Sequence, residues 1–318
     1  MIRIANLTKS FGPKKAVDDL SFEVQRGEVL GFLGPNGAGK STTMRMITGF
    51  LPPSAGSISV GGYDVVESPR EAKRLIGYLP ENAASYPDMT VNGFLSFAAE
   101  LRGLNGAARK KAVARVVDLC FLESVLYQQI DTLSKGYRHR TCLAQALIHD
   151  PEVLIMDEPT DGLDPNQKHE VRNLIREMGK TKAVIFSTHI LEEVDAACSR
   201  AIIIDRGRIV ANGTPSELKA LSDLSGAVTL ALEGGDAAQA GAKLQGLSSV
   251  ARVETLEGGA LRSYPRDKAA AGPLAREVME LCGREGWKVA ALRTEEGHLD
   301  EVFRRITLPD TVKKQGTQ

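Results

Sequence analysis

The sequence has no run approaching the roughly 18 consecutive apolar residues of a membrane-spanning helix. Its opening, MIRIANLTKSFG, offers no apolar h-region of a secretory signal. A cytosolic chain is expected, and any work at a membrane would need another protein to cross it. Cysteine is scarce. Cys120, Cys142, Cys198 and Cys282 are scattered without C-x-x-C spacing and fall in apolar or helical patterns, as buried reduced thiols do. An excess of one charge is also missing. Forty Lys and Arg balance forty Asp and Glu, which argues against a dominant nucleic-acid surface. No internal repeat or low-complexity tract appears.

What is present is enough for about two domains: 318 residues, 42% of them hydrophobic. The runs EVLGFLG, VLIMDE, AVIFSTH and AIIIDRGRI are apolar enough to be strands covered on both faces, which points to a mainly parallel α/β core. Between about residues 86 and 150 the strand signal fades. Val91, Phe94, Leu95, Ala98 and Leu101 follow helical spacing, so a helical insertion is expected there.

After about Thr214 the composition shifts toward Ala and Gly. Leu230 and Leu232 alternate, DAAQAGAKLQGL reads as a helix, and ARVETLEGGALRSYP reads as two strands joined at Gly258 and Gly259. GPLAREVMELCGREG, with Pro273 suited to a first turn, is a second helix, and WKVAALR a further strand. The order β-α-β-β-α-β predicts a ferredoxin-like α+β domain over residues 216–306. In HLDEVFRRI, Leu299, Val302, Phe303 and Ile306 share one helical stripe, and residues 307–318 read as a disordered tail.

The chemistry starts at GFLGPNGAGKSTTM. Gly34, Gly39, Lys40 and Ser41 fit G-x-x-x-x-G-K-[ST], with a strand before and helix-compatible residues after. Glycines let backbone N–H groups wrap phosphates beside the positive end of the next helix. Lys40 would hold β- and γ-phosphates, and Ser41 would ligate Mg²⁺. VLIMDEP ends a strand in Asp157, suited to the magnesium site, and Glu158, suited to polarising an attacking water. His189 ends another apolar strand and could hydrogen-bond a γ-phosphate, whereas alone it would read as a surface residue.

These motifs, with LSKGY at Leu133–Tyr137, DGLD at Asp161–Asp164 and STH at Ser187–His189, strongly resemble the nucleotide-binding subunit of ATP-binding cassette (ABC) transporters. The resemblance runs from about Met1 to Pro215. It implies a P-loop NTPase fold, an ABC ATPase domain over residues 1–215 carrying the helical subdomain. It also implies ATP hydrolysis with Mg²⁺, an integral-membrane partner and an ATP-dependent homodimer at the cytoplasmic face of the membrane. In that family two domains close head to tail, so Ser134 and Gly136 would serve the ATP held by a neighbouring copy. The same residues also read as an ordinary helix N-cap, and both can hold together.

By the same resemblance the nucleotide would be bound by Gly34, Pro35, Asn36, Gly37, Ala38, Gly39, Lys40, Ser41 and Thr42, by Phe11 stacking on adenine, by Glu81 and by Asp164 of the D-loop. Glu81, Ser41 and Asp157 would face the metal, and Glu158, His189 and Lys40 the reaction. Phe11 could instead be a core residue at a strand end, and Glu81 a solvated loop acid after Pro80. The chain departs from the common pattern at Glu81, where the family has Gln, at Lys135 and Tyr137 in the signature, at His139 and at Asp161. The GYLPEN and LSKGYR variants, and the closing LDEVFRRIT, look like multidrug and gliding-motility type exporters. An importer subunit is the nearest alternative. A P-loop kinase or GTPase is disfavoured because no N-K-x-D motif is evident. A soluble ABC ATPase of DNA repair or translation usually shows two cassettes in one chain or a long coiled-coil insertion, and neither is found.

Overall fold

Three of the four apolar runs become strands buried at every residue, and the fourth, AIIIDRGRI, splits at Arg206–Gly207 into a buried strand and the start of an exposed one. In the computed structural model, which describes residues 1–82, 85–234, 236–267 and 271–307, the chain divides into two units, Met1–Thr214 and Pro215–Gln318. The first unit begins with β1 (Ile2–Phe11), β2 (Lys14–Val24), β3 (Val29–Leu33), α1 (Lys40–Ile47), β4 (Ala55–Val60) and β5 (Tyr63–Asp64). It continues through α2 (Pro69–Leu75), β6 (Ile76–Leu79), α3 (Val91–Leu101), α4 (Gly106–Leu119) and α5 (Lys135–Leu147). It ends with β7 (Val153–Asp157), α6 (Pro165–Gly179), β8 (Ala183–Thr188), α7 (Leu191–Ala197), β9 (Arg200–Asp205) and β10 (Arg208–Gly213).

Strands β3, β7 and β8 are buried at every residue, as continuous Val, Ile, Leu and Phe runs require. They lie within a six-stranded sheet of order β10-β9-β3-β8-β7-β6. Pairs β6/β7, β7/β8, β3/β8 and β3/β9 are parallel, and β10 is antiparallel to β9. In such a sheet ligands sit beyond the carboxyl ends of the strands. There the segments after β3, β7 and β8 bring Lys40, Glu158 and His189 to one end.

A second sheet, β2-β1-β4-β5, is antiparallel throughout and was not anticipated from the sequence. Its inward residues Ile2, Ile4, Leu7, Leu20 and Ile58 pack in one core with Leu30, Phe32, Met44 and Ile155 of the larger sheet and α1. The opposite core joins Leu154, Met156, Val184 and Phe186 to the helical region. That region contains α3, α4 and α5 with two single 3₁₀ turns, Glu123–Val125 and Ile130–Thr132. The predicted stripe is buried at Val91, Phe94, Leu95 and Ala98, whereas Leu101 at the helix end is exposed.

The second unit comprises α8 (Pro215–Ala220), β11 (Val228–Leu232), α9 (Ala237–Gln245), β12 (Val250–Thr255) and β13 (Leu261–Pro265), then α10 (Ala271–Glu285), β14 (Val289–Thr294) and α11 (Leu299–Ile306). Its sheet has the order β12-β13-β11-β14 with antiparallel neighbours throughout, the split β-α-β arrangement. Gly258 and Gly259 turn the β12–β13 hairpin at φ 86° and 82°. Val228, Leu230, Leu244, Val250, Leu261, Leu274 and Val278 form a core of their own. On α11, Leu299 and Val302 are buried and Phe303 and Ile306 half-buried. Of the expected tail, only Thr307 falls among the described residues.

Candidate functional site

The loop between β3 and α1 is shaped by backbone that side chains would not tolerate. Gly39 caps α1 at φ 110°, and a Cβ there would lie 2.5 Å from the Ala16 carbonyl oxygen. A Cβ on Gly34 would lie 2.5 Å from the Ile204 carbonyl oxygen. Lys40 opens the helix but is only 6% exposed. Its Nζ donates to the Gly34 oxygen at 2.7 Å and the Pro35 oxygen at 3.3 Å. Burial lowers the Lys40 pKa, opposed by the charges of Glu158, Asp157 and Glu81. Those three acids therefore converge on the lysine, although they are far from it in sequence. Pro35, Ser41 and Thr42 are half-buried, Ala38 is buried, and Asn36 and Gly37 face solvent.

Across the sheet end, Asp157 closes β7 and is 1% exposed, and its Oδ1 accepts from Ser187 Oγ at 2.5 Å. Glu158 follows in the left-handed region at φ 53°, a conformation that costs a non-glycine residue energy and collects at functional sites. Its N–H donates to Ser187 Oγ at 3.0 Å. Its Oε2 lies 2.9 Å from His189 Nδ1, and the histidine side chain is 58% exposed. Burial raises the Glu158 pKa, with His189 and then Lys40 pulling it down. The result is a half-buried carboxylate beside an open, imidazole-lined edge, a setting in which a carboxylate can take up a proton.

Phe11 ends β1 with 52% exposure and Lys9 Nζ 5.4 Å from its ring centroid, so it is no core phenylalanine. Glu81 is exposed just beyond β6. Ser134, Gly136 and Asp164 belong to a second cluster. Ser134 is exposed and caps α5, its Oγ accepting from Tyr137 N at 3.4 Å. Gly136 is buried where a Cβ would lie 2.5 Å from Gln167 Oε1. Asp164 caps α6 through Gln167 N at 3.0 Å. Lys135 reaches Asp161, so two departures from the common family pattern meet each other. His139 is 5% exposed, with burial lowering its pKa and the backbone of Pro159 as its hydrogen-bond partner.

The donors fit magnesium nucleotide better than a free-standing metal. Among the described residues no group of three or more His, Cys, Asp or Glu is arranged to hold an ion alone. Ser41, Asp157 and Glu81 instead offer a few hard oxygens, which suits an ion that keeps waters and takes phosphate oxygens. Sequence reading missed Ser187, which braces both Asp157 and Glu158, and the trio Thr160, Thr188 and Glu193. Their signal was slight: hydroxyls inside motifs already assigned to neighbours, and one acid of the pair in LEEV.

Residues 17–161 match the family described as "ABC transporter". The chain is 40% identical over 219 residues to the linearmycin resistance ATP-binding protein LnrL of Bacillus subtilis, covering 69% of this chain and 70% of that one. It is 34% identical over 307 residues to the Nod factor export ATP-binding protein I of Burkholderia orbicola, covering 96% of each. A solved ATP-binding subunit of an ABC transporter superposes with a TM-score of 0.65 at 31% identity, over 70% of this chain and 92% of that one. Together with the Lys40, Asp157 and Glu158 cluster, these similarities place the chain in the ABC transporter family, among its ATP-hydrolysing ATP-binding subunits.

Proposed function

We propose that the chain drives export across the cytoplasmic membrane through a separate integral-membrane subunit, working from the cytoplasmic face as a pair of copies closed around two MgATP. One observation carries the pairing. The exposed Ser134 caps α5 beside Lys135 and Gly136, which meet Asp161 and Gln167, and among the described residues no hydrogen bond joins it to the Lys40 cluster, leaving its hydroxyl for a phosphate held elsewhere. The export direction is supported by the names of the relatives, one a resistance protein and one an export protein. Among the described residues no helix is long and apolar enough to cross a membrane, which agrees with a path supplied by the membrane subunit proposed here.

In this reading the backbone from Gly34 to Thr42 wraps the phosphates, and Lys40 exchanges its two carbonyl partners for β- and γ-phosphate oxygens. Phe11 stacks on the base. Ser41, Asp157 and Glu81 hold magnesium, which when bound supplies positive charge against the phosphates. Glu158 accepts a proton from the water whose oxygen bonds to the γ-phosphorus as the bond to the β–γ bridging oxygen breaks. His189 orients that carboxylate and meets the γ-phosphate. Ser134 and Gly136 contact the γ-phosphate of the other copy's ATP, with Asp164 nearby.

Sedimentation of Glu158→Gln with and without MgATP tests the shared site. ATP-linked dimers that Ser134→Arg abolishes are expected. A chain that binds MgATP yet stays monomeric, alone and with its membrane subunit, would refute it. Loss of the gene should sensitise cells to exported compounds, whereas an importer's loss would create a nutrient requirement.

A further inference from the structure

The geometry points to Glu193 as a positioning residue that sets the meeting of Glu158 and His189, an inference that rests on the role proposed for Glu158. Glu193 lies in the first turn of α7 and is 1% exposed. Each of its carboxylate oxygens takes one threonine hydroxyl. Thr160 Oγ1 donates to Oε1, and Thr188 Oγ1 donates to Oε2 at 2.6 Å. The two threonines are 2% and 0% exposed. A buried carboxylate is expensive unless its lone pairs are matched by donors, and packing alone would be served by an apolar side chain.

The location of those hydroxyls gives the carboxylate its role. Thr160 follows Glu158 by two residues on the loop after β7, and Thr188 immediately precedes His189 at the end of β8. One rigid group thus fixes the separation of the two loops whose side chains meet at 2.9 Å. Ser187 braces the same junction from the strand side through the Glu158 N–H and Asp157. Glu158 is therefore bracketed fore and aft, as a residue held at φ 53° requires if its strained backbone is to persist. Thr188 Oγ1 also accepts from Ile190 N at 3.0 Å, so its proton is free to point at Glu193. An amide at position 193 has one acceptor oxygen where two are used, so one of the two threonine hydroxyls would have to turn its proton away from it.

The test compares Glu193→Gln, Thr160→Val, Thr160→Ser, His189→Ala, Glu158→Gln and wild type in steady-state ATPase assays and in MgATP binding. Displacing the reacting groups without touching the phosphate loop should cost about 10- to 100-fold in kcat for Glu193→Gln and Thr160→Val. KM and MgATP affinity should stay within about twofold. Thr160→Ser, which keeps the hydroxyl, should recover most of the rate. Glu193→Gln added to His189→Ala should cost less than the product of the two separate losses, because both act on the Glu158–His189 contact. Wild-type kcat in Glu193→Gln, additive losses, or a weakened MgATP affinity equal to the loss in kcat would each overturn the inference. Should Glu193→Gln fail to fold, the Thr160→Val and Thr160→Ser pair decides alone. Near-normal turnover in Glu158→Gln would remove the base itself, whereas an inactive Glu158→Gln beside a wild-type-like Glu193→Gln removes only the positioning role.

Discussion

Lys135 Nζ lies 2.7 Å from Asp161 Oδ2, joining the residue after the Ser134 cap to the segment that follows Glu158. Both are departures from the usual family pattern, and in this chain they face each other as an ion pair. With the side chains 63% and 54% exposed, the pair contributes only about 0–1 kcal/mol to stability. Lys135→Met and Asp161→Asn should therefore leave thermal unfolding almost unchanged. In ATPase assays each should lose activity by the same several-fold factor, and the double variant should lose no more. Additive losses would show that the two residues act separately.

Glu158→Gln should lower kcat by about 10² to 10⁴ with little change in KM, the cost of removing a general base. Burial raises the Glu158 pKa above the ordinary value of 4.5, so its contribution to stability is complete below that value and lost as pH rises through the folded-state pKa. At neutral pH the neutral glutamine should thus unfold at a higher temperature than wild type. That advantage should shrink as pH falls toward 4.5. The acid limb of the kcat/KM profile should correspondingly lie above 4.5. A Glu158→Gln protein of lower melting temperature at neutral pH would contradict the sign of the shift.

Two glycines of the phosphate loop should separate strain from collision. Gly37 has φ 78° and open space where a Cβ would point, whereas Gly39 has φ 110° and a backbone oxygen in the way. Gly37→Ala should cost only about 1–2 kcal/mol of left-handed strain. Gly39→Ala should displace the loop and abolish MgATP binding, measured with a fluorescent nucleotide. Equal binding by the two variants would mean that the loop yields at Gly39.

Glu81 acts on Lys40 through its charge, yet it is exposed. If it also reaches magnesium, Glu81→Gln should keep ATPase activity within severalfold and raise the magnesium concentration needed, with Glu81→Ala losing more. Identical magnesium titrations for the three proteins would leave Glu81 as a solvated loop acid.

Residues 1–214 hold the two cores around the larger sheet, and the second unit packs a separate core of its own. Ending the chain at Thr214 should accordingly preserve MgATP binding, and a folded truncation without it would assign the second unit a part in the site.

Legibility in the sequence followed how local each constraint was. The Gly34–Ser41 loop could be read because glycine, lysine and a hydroxyl are needed at fixed spacing. Strands β3, β7 and β8 could be read because burial on both faces leaves continuous apolar runs. Strand β1 was legible only at its end, at Phe11, because register shifts after Ile4 and Leu7 break the alternation that would have announced the rest. Glu193 escaped because its burial is set by threonines 33 and 5 residues away, not by its own neighbours. The Lys135–Asp161 pair spans 26 residues and crosses from one helix start to another loop.

The place of β3 also dictates when the molecule can be assembled. It lies between β8 and β9, with Leu30 opposite both Ile185 and Arg200. About 170 residues beyond Leu30 must be synthesised before the strand ahead of Lys40 has its second neighbour, whereas α3, α4 and α5 can pack with their sequence neighbours much earlier. Contacts of such span slow folding, because the loop must close before any pairing rewards it. The phosphate loop, among the first segments to leave the ribosome, is thus among the last to take its shape.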